Sequence, residues 1–152
     1  MSQPNNNLLI IGAGQYGLVA REIALAMGRF GEIAFLDDSS HSEGIPIIGS
    51  TADIEKLRYN CITPAILVHP TAYVSPSAQL QMGCCVEPLA VVQTDATVAT
   101  ASFVASGAVI RHNAFVGDFC HIDCNAVVES TAVVPAATKV ACNSVFRKEQ
   151  NS

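Results

Sequence analysis

An aliphatic side chain recurs at every sixth residue from Val68 through Val74, Leu80 and Val86 to Val134 and Val140, with no insertion to break the register. Four residues after each stands a small one, from Ala72 and Ala78 through Cys84, Ser102 and Cys120 to Thr138 and Ser144. A period of six is neither the 3.6 of a helix nor the plain alternation of a long strand, because polar turn-formers recur between the apolar pairs. Short strands with tight corners remain. Three such hexads per coil give a left-handed parallel β-helix from about Val68 to Val145, in which the aliphatic residue points inward and the small one fits beneath the corner. A β-sandwich would vary its turn lengths and lose the phase.

Composition agrees with a solenoid. Half of the 152 residues are hydrophobic, yet only 6% are aromatic and 14% charged, so the core has to be built from small aliphatic side chains. The net charge of -5 and the scattering of the eight Lys and Arg leave no basic footprint for a nucleic acid. The opening residues Met1 to Asn7 carry no basic stretch, and the apolar run Leu8 to Ile11 ends at Gly12, too short to span a bilayer. The expectation is a cytoplasmic chain without membrane insertion, whose six cysteines are free thiols.

The repeat occupies residues 67–152, which leaves 1–66 for a small α/β Rossmann-like domain. Leu8 to Ile11 reads as a buried strand running into Gly12-Ala13-Gly14-Gln15-Tyr16-Gly17, a GxGxxG turn. Leu18, Val19, Ile23, Ala24 and Met27 then have helical spacing, with Gly28 placed as a C-terminal cap. A strand from Glu32 to Leu36 delivers Asp37-Asp38 where a β-α-β unit can offer a carboxylate to a ribose hydroxyl or a base edge. A further short strand, Ile45 to Ile48, precedes Ser50-Thr51-Ala52-Asp53, a capping box that opens a brief helix through Leu57. The alternative reading of the glycines is a tight turn with close helix packing, and of the acidic pair a solvated loop. A full dinucleotide enzyme needs about 150 residues of doubly wound sheet, so an NAD-dependent oxidoreductase is not expected.

Of the four histidines, His41, His69, His112 and His121, only the last two lie deep within the repeat. His112 stands two residues after the inward Ile110, where it faces outward or toward a neighbouring subunit and can act as a general base near neutral pH. His121 immediately precedes the inward Ile122 and suits a binding or orienting role. Cys120, His121 and Cys124 cluster in sequence, but Cys120 is at an inward small position and no second CxxC pair accompanies them, so no metal is expected.

Taken together, Ile11-Gly12-Ala13-Gly14 before a helix, Phe35-Leu36-Asp37-Asp38, Val68-His69-Pro70-Thr71-Ala72, and Val109-Ile110-Arg111-His112 followed by Val116-Gly117-Asp118 resemble one known group. It is the sialic-acid O-acetyltransferase family, which includes bacterial nucleotide-amino-sugar N-acetyltransferases. The resemblance implies a homotrimer of prisms packed side by side, acetyl-CoA in the cleft between two subunits, and a nucleotide sugar held by the N-terminal domain. By the same matching His112 is the general base and His121 a second histidine of that cleft, while Gly12, Gly14, Tyr16, Asp37 and Asp38 border the nucleotide. Tyr16 replaces a histidine common there. The chain also departs from the family pattern at Asn113, where an acidic residue often follows the catalytic histidine, at Ala105 in place of an asparagine, and at Asn125 and Ser130 in place of glycines. It reads as a shortened member, lacking a strand-bearing segment between Leu57 and Val68 and ending its prism near Val145. A catalytically degenerate trimer that binds a nucleotide sugar or serves as a scaffold is the alternative. Carbonic anhydrases of this architecture use three histidines with an HxxxxH pair, which His112 and His121 do not form.

Overall fold

The computed structural model describes residues 6–39, 44–57 and 63–147, so His41 and Cys61 lie outside the described residues. The chain divides into two compact units, residues 1–64 and 65–152.

In the first unit, β1 (Leu8–Ile11) pairs in parallel with β2 (Ile33–Leu36), which pairs in parallel with β3 (Ile47–Gly49). Helix α1 (Gln15–Met27) connects β1 to β2 and buries Ile23 and Ala24. It stops at Gly28, whose left-handed φ of 62° lets its N–H close on the Leu25 carbonyl at 3.1 Å, as an achiral residue permits there. Ile10, Ala13 and Phe35 form the small core, with Leu18, Ile33 and Ile47 against it. The turn from β1 into α1 explains its glycines individually. Gly12 has φ +92°, and a Cβ on Gly17 would lie 2.0 Å from the Gly12 carbonyl oxygen, so the first turn of the helix packs directly on the backbone of the loop. After β3, Ser50 N–H donates to Asp53 Oδ2 at 2.9 Å, the acidic half of the expected capping box, ahead of the short helix α2 (Ile54–Leu57). The unit is therefore a small α/β start of three parallel strands.

The second unit is a parallel β-solenoid. One sheet stacks β4 (Leu67–Val68), β7 (Cys85–Val86), β10 (Phe103–Val104), β13 (His121–Ile122) and β16 (Lys139–Val140). The next stacks β5 (Tyr73–Val74), β8 (Val91–Val92), β11 (Val109–Ile110), β14 (Val127–Val128) and β17 (Val145–Phe146). The last stacks β6 (Gln79–Leu80), β9 (Thr97–Val98), β12 (Phe115–Val116) and β15 (Val133–Val134). Partners are eighteen residues apart throughout, as in Cys85↔Phe103↔His121↔Lys139, so three hexads make one coil.

The second residue of each two-residue strand is the inward one. Val86, Val92, Val98, Val104, Ile110, Val116, Ile122, Val128 and Val134 are fully buried, and Val68, Val74 and Leu80 of the first coil pack against them from one end. β-Branched side chains suit this register because each stacks on its copy one coil away with χ1 already restricted. The small residues are buried as well, including Ala90, Ala96, Ala108, Ala114, Ala126 and Ala132. Ser102 takes one of these positions because its hydroxyl is satisfied: it donates to the Gly117 carbonyl at 2.7 Å and accepts from Cys120 N–H at 3.0 Å. Cys84 and Cys120 fill others as small side chains, their thiols directed to the carbonyls of Ala99 and Pro135. All five described cysteines are free, and burial pushes the Cys85 thiol up to about 12.

From Gly83 onward, the backbone turns left-handed one residue before each small position. Leu89, Asp95, Ala101, Asn113, Phe119, Asn125, Thr131, Ala137 and Asn143 have φ between 54° and 63°, and Gly83 and Gly107 occupy equivalent corners. From Ala101 onward each of these non-glycine corner residues donates its N–H to the carbonyl nineteen residues earlier, as Asn113 does to Thr94 at 3.0 Å and Ala137 to Asp118 at 2.8 Å. The strained corner is thus also where coils are tied to one another between the sheets, and backbone polar groups that would otherwise be lost at a tight turn are paired.

Candidate functional site

The corner that follows β5, β8 and β11 carries a cleft of about 510 Å³ lined by Tyr73, Gln93, Thr94, His112 and Asn113. Its members come from three successive coils, and the coil period brings them together: Thr94 precedes His112 by eighteen residues (112 − 94), as strand partners do.

His112 is exposed, with its main chain fixed from both sides. Its N–H donates to Gln93 Oε1 at 3.1 Å in the preceding coil, and its carbonyl accepts from Thr131 N–H at 3.2 Å in the following one. Its Nδ1 lies 3.2 Å from Asn113 Oδ1. Asn113 holds the left-handed corner at φ 58°, a conformation asparagine adopts more readily than most residues. Arg111 and Thr94 beside them are exposed, and Gln93 is half-buried. Ser130, one coil beyond His112 in the same register position, has a buried Oγ with no hydrogen-bond partner among the described residues.

His121 is not at this corner. It is the outward residue of β13, on a different sheet, where its ring lies 5.3 Å from that of Phe103 and its Nε2 4.0 Å from Asp123 Oδ1. Asp123 also pairs with Lys139 at 3.2 Å. Within one chain, therefore, the two histidines singled out from the sequence are apart: His112 is at the corner after β11 and His121 is in β13 of another sheet. Among the described residues no group of three or more His, Cys, Asp or Glu is gathered as for a metal ion. His69 engages Thr71, its Nδ1 2.8 Å from the hydroxyl and 3.1 Å from the N–H.

In the N-terminal unit the two aspartates both have internal partners. Asp37 Oδ2 accepts from Ala13 N–H at 2.6 Å, inside the glycine-rich turn, and Oδ1 accepts from the N–H of Ser39 at 2.7 Å and from its hydroxyl. The Ser39 hydroxyl, followed by these backbone donors, holds the Asp37 carboxyl below the usual range. Asp38 accepts from Thr51, its N–H at 2.9 Å and its hydroxyl at 2.6 Å, tying the end of β2 to the segment after β3. A carboxylate offers about four lone-pair positions, so Asp37 retains roughly one and Asp38 roughly two for an external hydroxyl. Gly12 and Gly14 have open space where a Cβ would be, and Tyr16 on the first turn of α1 is exposed.

Sequence reasoning did not find Tyr73, Gln93 or Thr94. The signal that carries Thr94 and Gln93 is the eighteen-residue coil counted back from His112; Tyr73 enters because its large side chain stands outward on the first coil of the same sheet.

Comparison with known proteins follows the same division. Residues 7–66 match the model of the PglD N-terminal domain. No curated protein matches the chain at a significant level. Among solved structures, PerB from Caulobacter crescentus, in complex with CoA and GDP-perosamine, superposes with a TM-score of 0.72 at 20% identity over 98% of this chain and 92% of that one. The acetyltransferase domain of PglB from Neisseria gonorrhoeae gives 0.65 at 26% identity over 95% and 93%. In complex with acetyl coenzyme A, the same domain gives 0.61 at 27% identity over 93% of each chain. The family match thus covers the N-terminal unit, and over nearly the whole chain the protein is similar in structure to acetyltransferases.

Proposed function

We propose that the protein is an acetyltransferase that moves an acetyl group from acetyl-CoA to an amine or hydroxyl of a nucleotide-linked sugar, with His112 as the catalytic base. The observation that carries this reading is the cleft at the β5-β8-β11 corner, where an exposed imidazole is anchored through its own main chain to the coils on either side. A base must be held within hydrogen-bond reach of the proton it removes, and a side chain on so firmly pinned a backbone meets that demand. His112 takes a proton from the acceptor nitrogen or oxygen as that atom attacks the thioester carbonyl. The carbon passes through a tetrahedral oxyanion, and the CoA thiolate leaves.

The solenoid is taken to be left-handed, and the N-terminal unit, over residues 1–66, to be a Rossmann-like domain that holds the nucleotide at Gly12, Gly14, Tyr16, Asp37 and Asp38. Residues 67–152 form the acyltransfer domain. A homotrimer supplies what one chain lacks: with solenoids side by side, the His112 corner of one subunit faces the sheet of its neighbour that bears His121, and acetyl-CoA lies between them. The protein is read as cytoplasmic. No metal enters the mechanism, and nucleic acid and membrane are not partners; among the described residues no helix is long and apolar enough to cross a membrane.

A second reading, a non-catalytic trimer that binds a nucleotide sugar or acts as a scaffold, is favoured by Asn113, which puts an uncharged amide where a carboxylate would raise the basicity of the imidazole. The deciding experiment measures CoA release from acetyl-CoA with a panel of uridine- and guanosine-diphosphate amino sugars. Transfer should fall by about 10²- to 10⁴-fold in His112→Ala, the range a general base contributes. Unchanged turnover in that variant would remove His112 from the chemistry, and absence of both turnover and acetyl-CoA binding by calorimetry would leave the second reading.

A further inference from the structure

The side chain next to His112 does more than fill a corner. Asn113 Oδ1 stands 3.2 Å from His112 Nδ1, and nothing else is assigned a hydrogen bond to the ring among the described residues. The backbone of Asn113 is itself fixed, by its left-handed φ of 58° and by its N–H bond to the Thr94 carbonyl at 3.0 Å. The main chain of His112 is pinned through Gln93 and Thr131, so the two residues carry their side chains from fixed, adjacent backbone positions. An imidazole has two nitrogens, and whichever carries the proton when the ring is neutral decides which one is left to accept another. A carbonyl oxygen can only accept, so facing Nδ1 it selects the Nδ1–H form.

We propose that Asn113 is a positioning residue that sets the tautomer of His112: its side-chain oxygen accepts the Nδ1–H and leaves Nε2 as the proton acceptor toward the cleft. The inference rests on the catalytic role proposed above for its importance, but the tautomer itself is independent of it. An uncharged amide does this without the attraction a carboxylate would exert on the imidazolium, so orientation and basicity, usually coupled in a histidine–carboxylate pair, are separated here. The other charged groups at this corner are Asp95 and Arg111 and the Glu129–Arg147 pair, whose atoms are 3.7 Å apart.

Two variants separate the possibilities, and both are compatible with the backbone. Asn113→Gly keeps the left-handed corner and removes the oxygen; Asn113→Asp keeps both and adds charge. The readout is the long-range ¹⁵N–¹H spectrum of the full-length ¹⁵N-labelled protein across pH 5 to 9, with His112 assigned by comparison with His112→Ala. The wild type should show neutral His112 protonated at Nδ1. Asn113→Gly should return it toward the mixture of free imidazole, and Asn113→Asp should keep Nδ1–H while raising the titration midpoint by about one unit or more. In the transfer assay Asn113→Gly should lower kcat by roughly tenfold with KM little changed, part of the ~10²- to 10⁴-fold a base supplies. Asn113→Asp should move the acid limb of the pH–rate profile upward by the same amount as the NMR midpoint. An Nε2–H tautomer in the wild type, or a spectrum unaltered by Asn113→Gly, overturns the proposal. Absence of any transfer activity would count against the proposed function alone, because the spectra decide the tautomer without it.

Discussion

A single substitution, alanine to glycine, should have opposite effects on stability at Ala137 and at Ala132, five residues apart on one coil. Ala137 is exposed, sits at φ 57°, and donates its N–H to the Asp118 carbonyl at 2.8 Å. Removing its Cβ relieves the left-handed clash of an L-residue, about 1–2 kcal/mol. It adds back roughly 0.5–1 kcal/mol of unfolded-chain entropy. The hydrogen bond survives, so the variant should be more stable by about 0.5–1 kcal/mol. Ala132 is completely buried, at 0% exposure, and its φ is not among the positive ones. There glycine costs the same entropy plus about 0.8 kcal/mol for the lost methyl, a destabilisation of roughly 1.5 kcal/mol before any residual void is counted. Urea unfolding followed by circular dichroism reads both, provided the m-value stays constant, so that a shift in midpoint reports stability alone. For a chain of this size the thermal midpoints should diverge from wild type by a few degrees in opposite directions, about 2–4 °C per kcal/mol. If Ala137→Gly destabilises as much as Ala132→Gly, the positive φ is not strained and the account of the corners is wrong.

In the N-terminal unit, Gly17→Ala should destabilise by about 1–3 kcal/mol, the usual cost of overpacking, because its Cβ would stand 2.0 Å from the Gly12 carbonyl and force α1 off the loop. Thermal melts of this variant beside Gly14→Ala, whose Cβ meets nothing within 4 Å, check the contrast; equal effects would refute it. The depressed Asp37 carboxyl makes an acid-sensitive brace. Its folded value is below the ordinary 3.8, so its stabilisation is complete above that pH and is lost as pH falls through the lower folded value. Asn at position 37 should weaken the unit at pH 7 and narrow its difference from wild type near pH 3, measured by amide exchange at Ala13.

The solenoid was legible because its core obeys one steric rule repeated without interruption. Val104, Ile110 and Val116 are inward for the same reason, and a single slip of phase would expose all of them. The left-handed corners were not legible, since Leu89, Ala101 and Phe119 are residues that ordinarily avoid positive φ. Their conformation is imposed by the need to turn between strands of two residues and, at Ala101 and Phe119, to pair an N–H with the preceding coil, which is tertiary in origin. His112 could be picked out as an outward imidazole, and the helix ending at Gly28 followed from local chemistry. The internal engagement of Asp37 with Ala13 and of Asp38 with Thr51 could not, because a carboxylate twenty-odd residues beyond a glycine turn looks the same whether it meets a ligand or the turn itself. The placement of His112 at a corner and His121 on a flat side follows from their spacing of nine residues (121 − 112), which is one and a half hexads.

This geometry ties the chemistry of the corner to its shape. The inward positions of a hexad are reserved for the core, and the position after His112 must tolerate φ near 58°. Among residues with a side-chain oxygen close to the backbone, Asn and Asp enter that region most readily, and both place an acceptor beside the imidazole. The fold therefore favours, at the residue adjacent to His112, the side chains able to select its tautomer, while the choice between amide and carboxylate remains free to set its basicity. Leu89 and Phe119 show that a corner also accepts a residue with no such oxygen, so the pairing at Asn113 is not forced by the backbone alone. What distinguishes this corner is the coincidence of an acceptor in the strained position with an anchored histidine before it, and that coincidence is a property of the coil as a whole, since Gln93, Thr94 and Thr131 from the neighbouring coils hold both residues in place.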